Sequence, residues 1–147
     1  MGTFYDNARE HIFRGVLTAT KGIPAVKRVF RAESEAAALH KGAIFLRFEG
    51  DKPELSSCLG KEVVHRHRLT YSIIFRHGHW NKSIQEKDIL SVLSAIAEYI
   101  ISHPTLGGMF ESSSIKEIAV EATPQEKKAT GFVRAEFVVR ETLERSN

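Results

Sequence analysis

The sequence predicts an α+β fold: an antiparallel sheet of four or slightly more strands, packed on one face by two helices. Two stretches carry apolar residues at helical spacing behind capping signals, and four others alternate apolar with polar residues as half-buried strands do. The length of 147 residues suits one such sandwich with a sizeable core, so residues 1–147 are read as one domain.

Thr3 can cap a first helix whose apolar positions Phe4, Ala8, Ile12 and Val16 recur at helical spacing, from about Phe4 to Thr20, until Gly22 and Pro24 stop it. Between Ala25 and Ala38 the signals divide. Val26, Val29 and Phe30 favour a short extended piece, whereas the alanine-rich Glu33 to Leu39 favours a helical turn. Ala43 to Glu49 alternates, with Ile44, Leu46 and Phe48 on one face and Phe45, Arg47 and Glu49 on the other, and Gly50-Asp51-Lys52-Pro53 ends this strand in a loop. The longest alternation follows. Leu69, Tyr71, Ile73 and Phe75 point one way and Arg66, Arg68, Thr70 and Arg76 the other, interrupted by Ile74.

Gly78 to Lys82 turns the chain, and Ser83 with Glu86 forms a capping box for a helix built on Ile89, Val92, Leu93, Ile96 and Ile100. It ends at His103-Pro104, before the Gly107-Gly108 loop. Two strands close the chain. Ile118 and Val120 alternate with Glu117 and Glu121, and Val133, Ala135, Phe137 and Val139 alternate with Arg134, Glu136 and Arg140. The polar stretch Thr123 to Thr130 reads as their hairpin connection, and Leu143 to Asn147 as a frayed tail.

A composition of 42% hydrophobic and 27% charged residues excludes a disordered or collagenous chain. Ile89 to Ile101, the longest apolar stretch, is broken by Ser91, Ser94 and Glu98, short of the roughly 18 apolar residues that a membrane span needs. Met1 to Asn7 lacks the features of a secretory signal, and a single cysteine, Cys58, allows no intramolecular disulfide, so synthesis in a reducing cytoplasm is expected. Twenty-one basic against 18 acidic residues leave a net charge of +3, a mildly basic balance. The distribution says more. Lys61 to His79 holds Lys61, Arg66, Arg68 and Arg76 against Glu62, whereas Glu111 to Glu126 holds Glu111, Glu117, Glu121 and Glu126 against Lys116.

With the alternations in register, the sheet face away from the helices gathers Arg47, Glu49, Arg66, Arg68, Arg76, Glu117, Glu121, Arg134, Glu136 and Arg140. Such a face is either simply solvated or a docking surface whose opposite charges pair between subunits. A metal site would draw on His65-x-His67 and His77-x-His79, since residues i and i+2 of a strand share a side. The ten positions between the pairs, about 33 Å of strand, argue against one shared ion. Cys58 has no assignable base nearby, and Gly107-Gly108 forms no phosphate loop. No catalytic residues, cofactor or metal are therefore assigned. Nucleic-acid binding would use Arg66, Arg68, Arg76 and Trp80 of the basic strand 61–79, opposed by Glu49, Glu117, Glu121 and Glu136 on the same face.

In the order of these features the chain resembles the phage tail terminator family, also called minor tail or tail-completion proteins. The features are the first helix, the Gly-Ile-Pro turn at 22–24, the strand in "KGAIFLRFEG", the long strand "HRHRLTYSIIF", and the helix closing in "HPTLGG" at 103–108. The final pair "IKEIAVEATPQEKKATGFVRAEFVVRE" completes it. The resemblance implies a non-enzymatic virion protein of tail or neck, made in a bacterial host, that caps the head-proximal end of the tail tube as a hexameric ring. It would stop tube polymerisation and present a joining surface to the head. Its implied partners are further copies of itself, the tail tube protein and head–tail connector proteins. No membrane is involved, and DNA would be met only as it passes through the ring. The segments Gly50 to Gly60 and Thr123 to Thr130 are expected to be flexible docking loops. A head-closure or neck protein, and a nucleic-acid-binding module, are the alternatives.

Overall fold

The computed structural model describes residues 3–36, 41–60, 62–79, 81–123 and 128–144. Its elements run α1 (Phe4–Thr20), β1 (Arg28–Phe30), a single 3-10 turn (Glu33–Ala36), β2 (Ala43–Asp51), β3 (Glu54–Leu59), β4 (Glu62–Gly78), α2 (Lys82–Ser102), β5 (Ser112–Thr123) and β6 (Lys128–Glu144). The fold is α+β as expected, with a six-stranded sheet in the order β1-β2-β4-β6-β5 and β3 paired to β4 beside that path. All pairings are antiparallel except β1 with β2, a parallel edge. The divided signals of residues 25–38 resolve as β1 followed by the 3-10 turn; residues 37–40 lie outside the described chain.

The centre of the sheet is β4 against β6, matched over their whole lengths from Glu62↔Glu144 to Gly78↔Lys128. Both helices pack on one face. Leu69, Ile73 and Phe75 of β4, Val133, Ala135 and Phe137 of β6, and Ile44 of β2 are wholly buried there against Ile12 of α1 and Ile89, Val92, Leu93 and Ile96 of α2. Removing such side chains from water is the main favourable term in folding. Thr3 and Asp6 form the capping box of α1 through reciprocal backbone bonds. At the end of α2, Leu106 takes a positive φ of 43°, a costly conformation for a residue with a Cβ. Its side chain is buried, close over Gly15 of α1 and between the two helices, and this burial offsets the cost.

Several expectations are corrected. Gly50 to Gly60 is not a flexible loop: Gly50 and Asp51 finish β2, and β3 fills most of the remainder. Edge strands tolerate proline, and here the Lys52 amide still donates to the Arg68 carbonyl, so β2 and β3 are two halves of one strand line along β4. Thr123 and Lys128–Thr130 are likewise strand rather than loop, with residues 124–127 outside the description. Leu143 and Glu144 are not frayed but pair with Val63 and Glu62; residues 145–147 are not described. The cap of α2 is Asn81, whose side chain accepts from the Ser83 and Ile84 amides, rather than Ser83. Ile74 is no interruption either. It belongs to a second apolar cluster on the opposite face of the sheet, with Phe30, Ala43 and Phe45. Phe48 lies on the expected side but at its margin, 48% exposed.

Candidate functional site

Neither α1 nor α2 covers the outer face of the sheet, and the register aligns its side chains in rows across the strands. One row is Ala43, Arg76, Thr130 and Glu121; the next is Phe45, Ile74, Phe132 and Ala119; the third is Arg47, Ser72, Arg134 and Glu117. Farther along, Thr70 pairs with Glu136 and Arg66 with Arg140. The residues expected on this face are therefore brought together on it. Alternation fixed the face, because a strand's side chains have period two.

What the structure adds is their pairing inside the chain. Arg134 bridges Glu49 at 2.8 Å and Glu117 at 2.7 Å. Arg47 meets Glu33 at 3.0 Å, Arg68 meets Glu136 at 3.4 Å and Glu54 at 4.0 Å, and Lys116 also reaches Glu136 at 3.9 Å. Glu111 serves both Arg66 at 3.2 Å and Arg140 at 2.7 Å. Exposed pairs of this kind contribute at most about 1 kcal/mol each, but together they balance the face electrically. Arg66 and Arg68, central to a nucleic-acid surface on strand 61–79, are thus already engaged with carboxylates. Lys61 and Trp80 of that stretch lie outside the described residues.

Beneath the charges lies an aromatic floor. Phe45 and Ile74 are buried, with Phe132 packed beside them. The Arg76 guanidinium lies 5.0 Å from the Phe45 ring centroid and that of Arg134 5.3 Å from Phe132. The rows enclose a shallow concavity of about 320 Å³, rimmed by Arg47, Arg76, Arg134, Glu33, Glu49 and Glu121. Ser72 lines it, and its hydroxyl is buried without a hydrogen-bond partner. The site can therefore take up both apolar and mixed-charge groups, and it holds no excess of either sign.

Of the four histidines, His65 lies beside His67, with ring centroids 6.3 Å apart, and the other three have unlike settings. His67 is buried, its Nδ1 2.6 Å from Asp51 Oδ2 and its Nε2 3.1 Å from Glu141 Oε1. The Tyr5 hydroxyl donates to the same Asp51 oxygen, and that bond, with burial, raises the phenol above its ordinary range. This cluster pins the start of α1 to the end of β2 and, across it, to β4 and β6. Alternation gave no sign of it, since Asp51 lies in what reads as a loop. His77 is also buried, its Nε2 3.0 Å from Asp88 Oδ2 of α2, and the His79 Nδ1 accepts from the Asn81 amide. Among the described residues no group of three His, Cys, Asp or Glu is arranged to hold a metal ion. Cys58 belongs to β3 rather than to a loop. Elsewhere, burial pushes the Tyr71 phenol up to about 12, while Arg31 lowers the Glu10 carboxyl through hydrogen bonds of 2.7 and 2.9 Å.

A basic groove went unremarked in the alternation pattern. Lys21, Lys27, Arg28 and Arg31 surround the turn after α1, in a stretch with no acidic residue between Glu10 and Glu33. That charge run was the available signal. No described helix is long and apolar enough to cross a membrane.

No family model matches this chain, and no curated protein matches it in sequence. Among solved structures it is similar to a chain of the "Virion of native gene transfer agent (GTA) particle", with a TM-score of 0.48 and 5% identity over 90% of this chain and 94% of that one. This is a likeness of chain path.

Proposed function

We propose that this protein is a structural component of a virion and acts as a tail terminator, forming a ring on the head-proximal end of a tail tube. The observation that carries the reading is the outer sheet face: uncovered by α1 and α2, electrically balanced, and aromatic beneath its charged rows. A balanced surface with an apolar floor suits a protein neighbour, because charges set orientation while the apolar groups supply contact area. The resemblance of the ordered elements to the terminator family, from the first helix to "FVRAEFVV", supports the same assignment. Subunits would meet heterologously, each offering two different patches, as a closed ring requires. Further copies, the tube protein and the connector are its partners, and DNA is met as it passes through the ring. The function needs no catalysis.

Light scattering behind size exclusion, run across protein concentration and ionic strength, tests the proposal. The expected result is a ring-sized species that grows with concentration. A strict monomer that also fails to co-sediment with tail tubes overturns it. Copurification with portal in place of tube would assign the protein to head closure instead.

A further inference from the structure

We propose that the groove between the α1–β1 turn and the end of β4 binds the phosphate backbone of a nucleic acid. Two adjoining concavities of about 610 and 620 Å³ form it, both walled by Gly22, Ile23 and Lys27. Lys21 and Arg28 line the first and Lys41 the second. All four cations are exposed, and none makes an ion pair among the described residues, in contrast to the arginines of the outer face.

The acidic count is equally lopsided. Asp88 is the carboxylate lining the groove, and it is occupied by His77 at 3.0 Å. Among the described residues nothing else in the wall opposes an anion. Basic groups that converge on one point suit a single phosphate. These are strung through two concavities with Lys27 on the shared wall, which suits phosphates spaced along a chain. The backbone that carries them is held firmly. Gly42, at φ 76°, accepts the Lys27 and Arg28 amides through its carbonyl and donates its own amide to Arg76. A Cβ at Gly42 would lie 2.7 Å from the Ala25 carbonyl oxygen, so only glycine permits this approach. The backbone beneath Lys27, Arg28 and Lys41 is therefore set before a ligand arrives, so that the entropy lost on binding there is that of their side chains.

The test is fluorescence anisotropy of a labelled 20-base-pair DNA duplex titrated with the full-length protein at several salt concentrations. Binding is expected with a log–log salt slope of about −3, as for three to four neutralised phosphates. Lys27→Glu/Lys41→Glu should weaken binding at least about tenfold and lessen that slope by about 2. Lys52→Glu, a charge reversal on the exposed link between β2 and β3, should change it little. Circular dichroism of each variant separates lost binding from lost fold. Absence of salt-dependent binding overturns the proposal, as does equal weakening by Lys52→Glu. Binding to phosphatidylglycerol vesicles but not to DNA, abolished by the double variant, would also overturn it and assign the groove to an anionic membrane surface.

Discussion

Gly131 lies on the helix-bearing face of β6, and a Cβ there would come within 2.7 Å of Ile89 and 2.9 Å of Leu93 on α2. Gly131→Ala should push helix and sheet apart at a cost of about 1–3 kcal/mol, read as a lower denaturation midpoint. The His67 cluster answers to another kind of change. Its Asp51 partner has a side chain only 7% exposed, so His67→Leu leaves a buried carboxylate with the Tyr5 hydroxyl as its remaining side-chain partner and should cost about 2–3 kcal/mol. Adding Asp51→Asn should recover part of that loss, giving a double-mutant cycle far from additive. Tyr71 controls the alkaline limb. Its folded pKa of about 12 exceeds the ordinary 10, so between these values the unfolded chain has released a proton that the folded one keeps. The contribution of Tyr71 to stability is then fully present below pH 10 and falls by about 1.4 kcal/mol per pH unit above it, a share of the alkaline slope that Tyr71→Phe should remove in chemical denaturation at pH 9 to 12, leaving the smaller share of Tyr5. At this scale the sequence shows which side a residue faces but not whom it meets. Asp51, His67 and Glu141 are joined by strand register across distant parts of the chain, and no local pattern encodes that.

Helix boundaries were legible because they depend on neighbours along the chain. Phe4–Thr20 is found where Thr3 and Gly22 place it. The start of α2 shows how two adjacent signals compete. Ser83 and Glu86 fit the capping pattern, yet it is the Asn81 side chain that accepts the first amides. Asn81→Ala should therefore cost about 1 kcal/mol by thermal melt, and Ser83→Ala a good deal less. Strand β3 was hidden for a different reason. Its sequence Glu-Leu-Ser-Ser-Cys-Leu does not alternate, and a register shift falls between Leu55 and Ser57. Pro53 then reads as a terminator, although on a sheet edge it only removes one donor. Ile74 was misread because both faces of the sheet carry apolar clusters, and period two predicts polar residues only where a face is open to water.

For the molecule as a whole, the ion pairs of the outer face separate fold from assembly. Arg134→Glu removes two partly exposed bridges, to Glu49 and Glu117, each worth less than about 1 kcal/mol, so the monomer should stay folded. The ring-sized species should recede to higher protein concentration in the same variant, measured by light scattering; an unchanged mass profile would remove Arg134 from any subunit contact. The face itself was readable from alternation, whereas its internal neutrality was not, because partners such as Glu33 and Glu111 lie outside the alternating runs. The β4–β6 pairing also sets how this chain must fold. Glu62 meets Glu144 and Gly78 meets Lys128, so even the shortest loop it closes spans roughly 50 residues, with a corresponding entropy cost. The central ladder cannot zip up from a tight turn. It waits until β6 has left the ribosome, and refolding from denaturant should take milliseconds to seconds rather than microseconds.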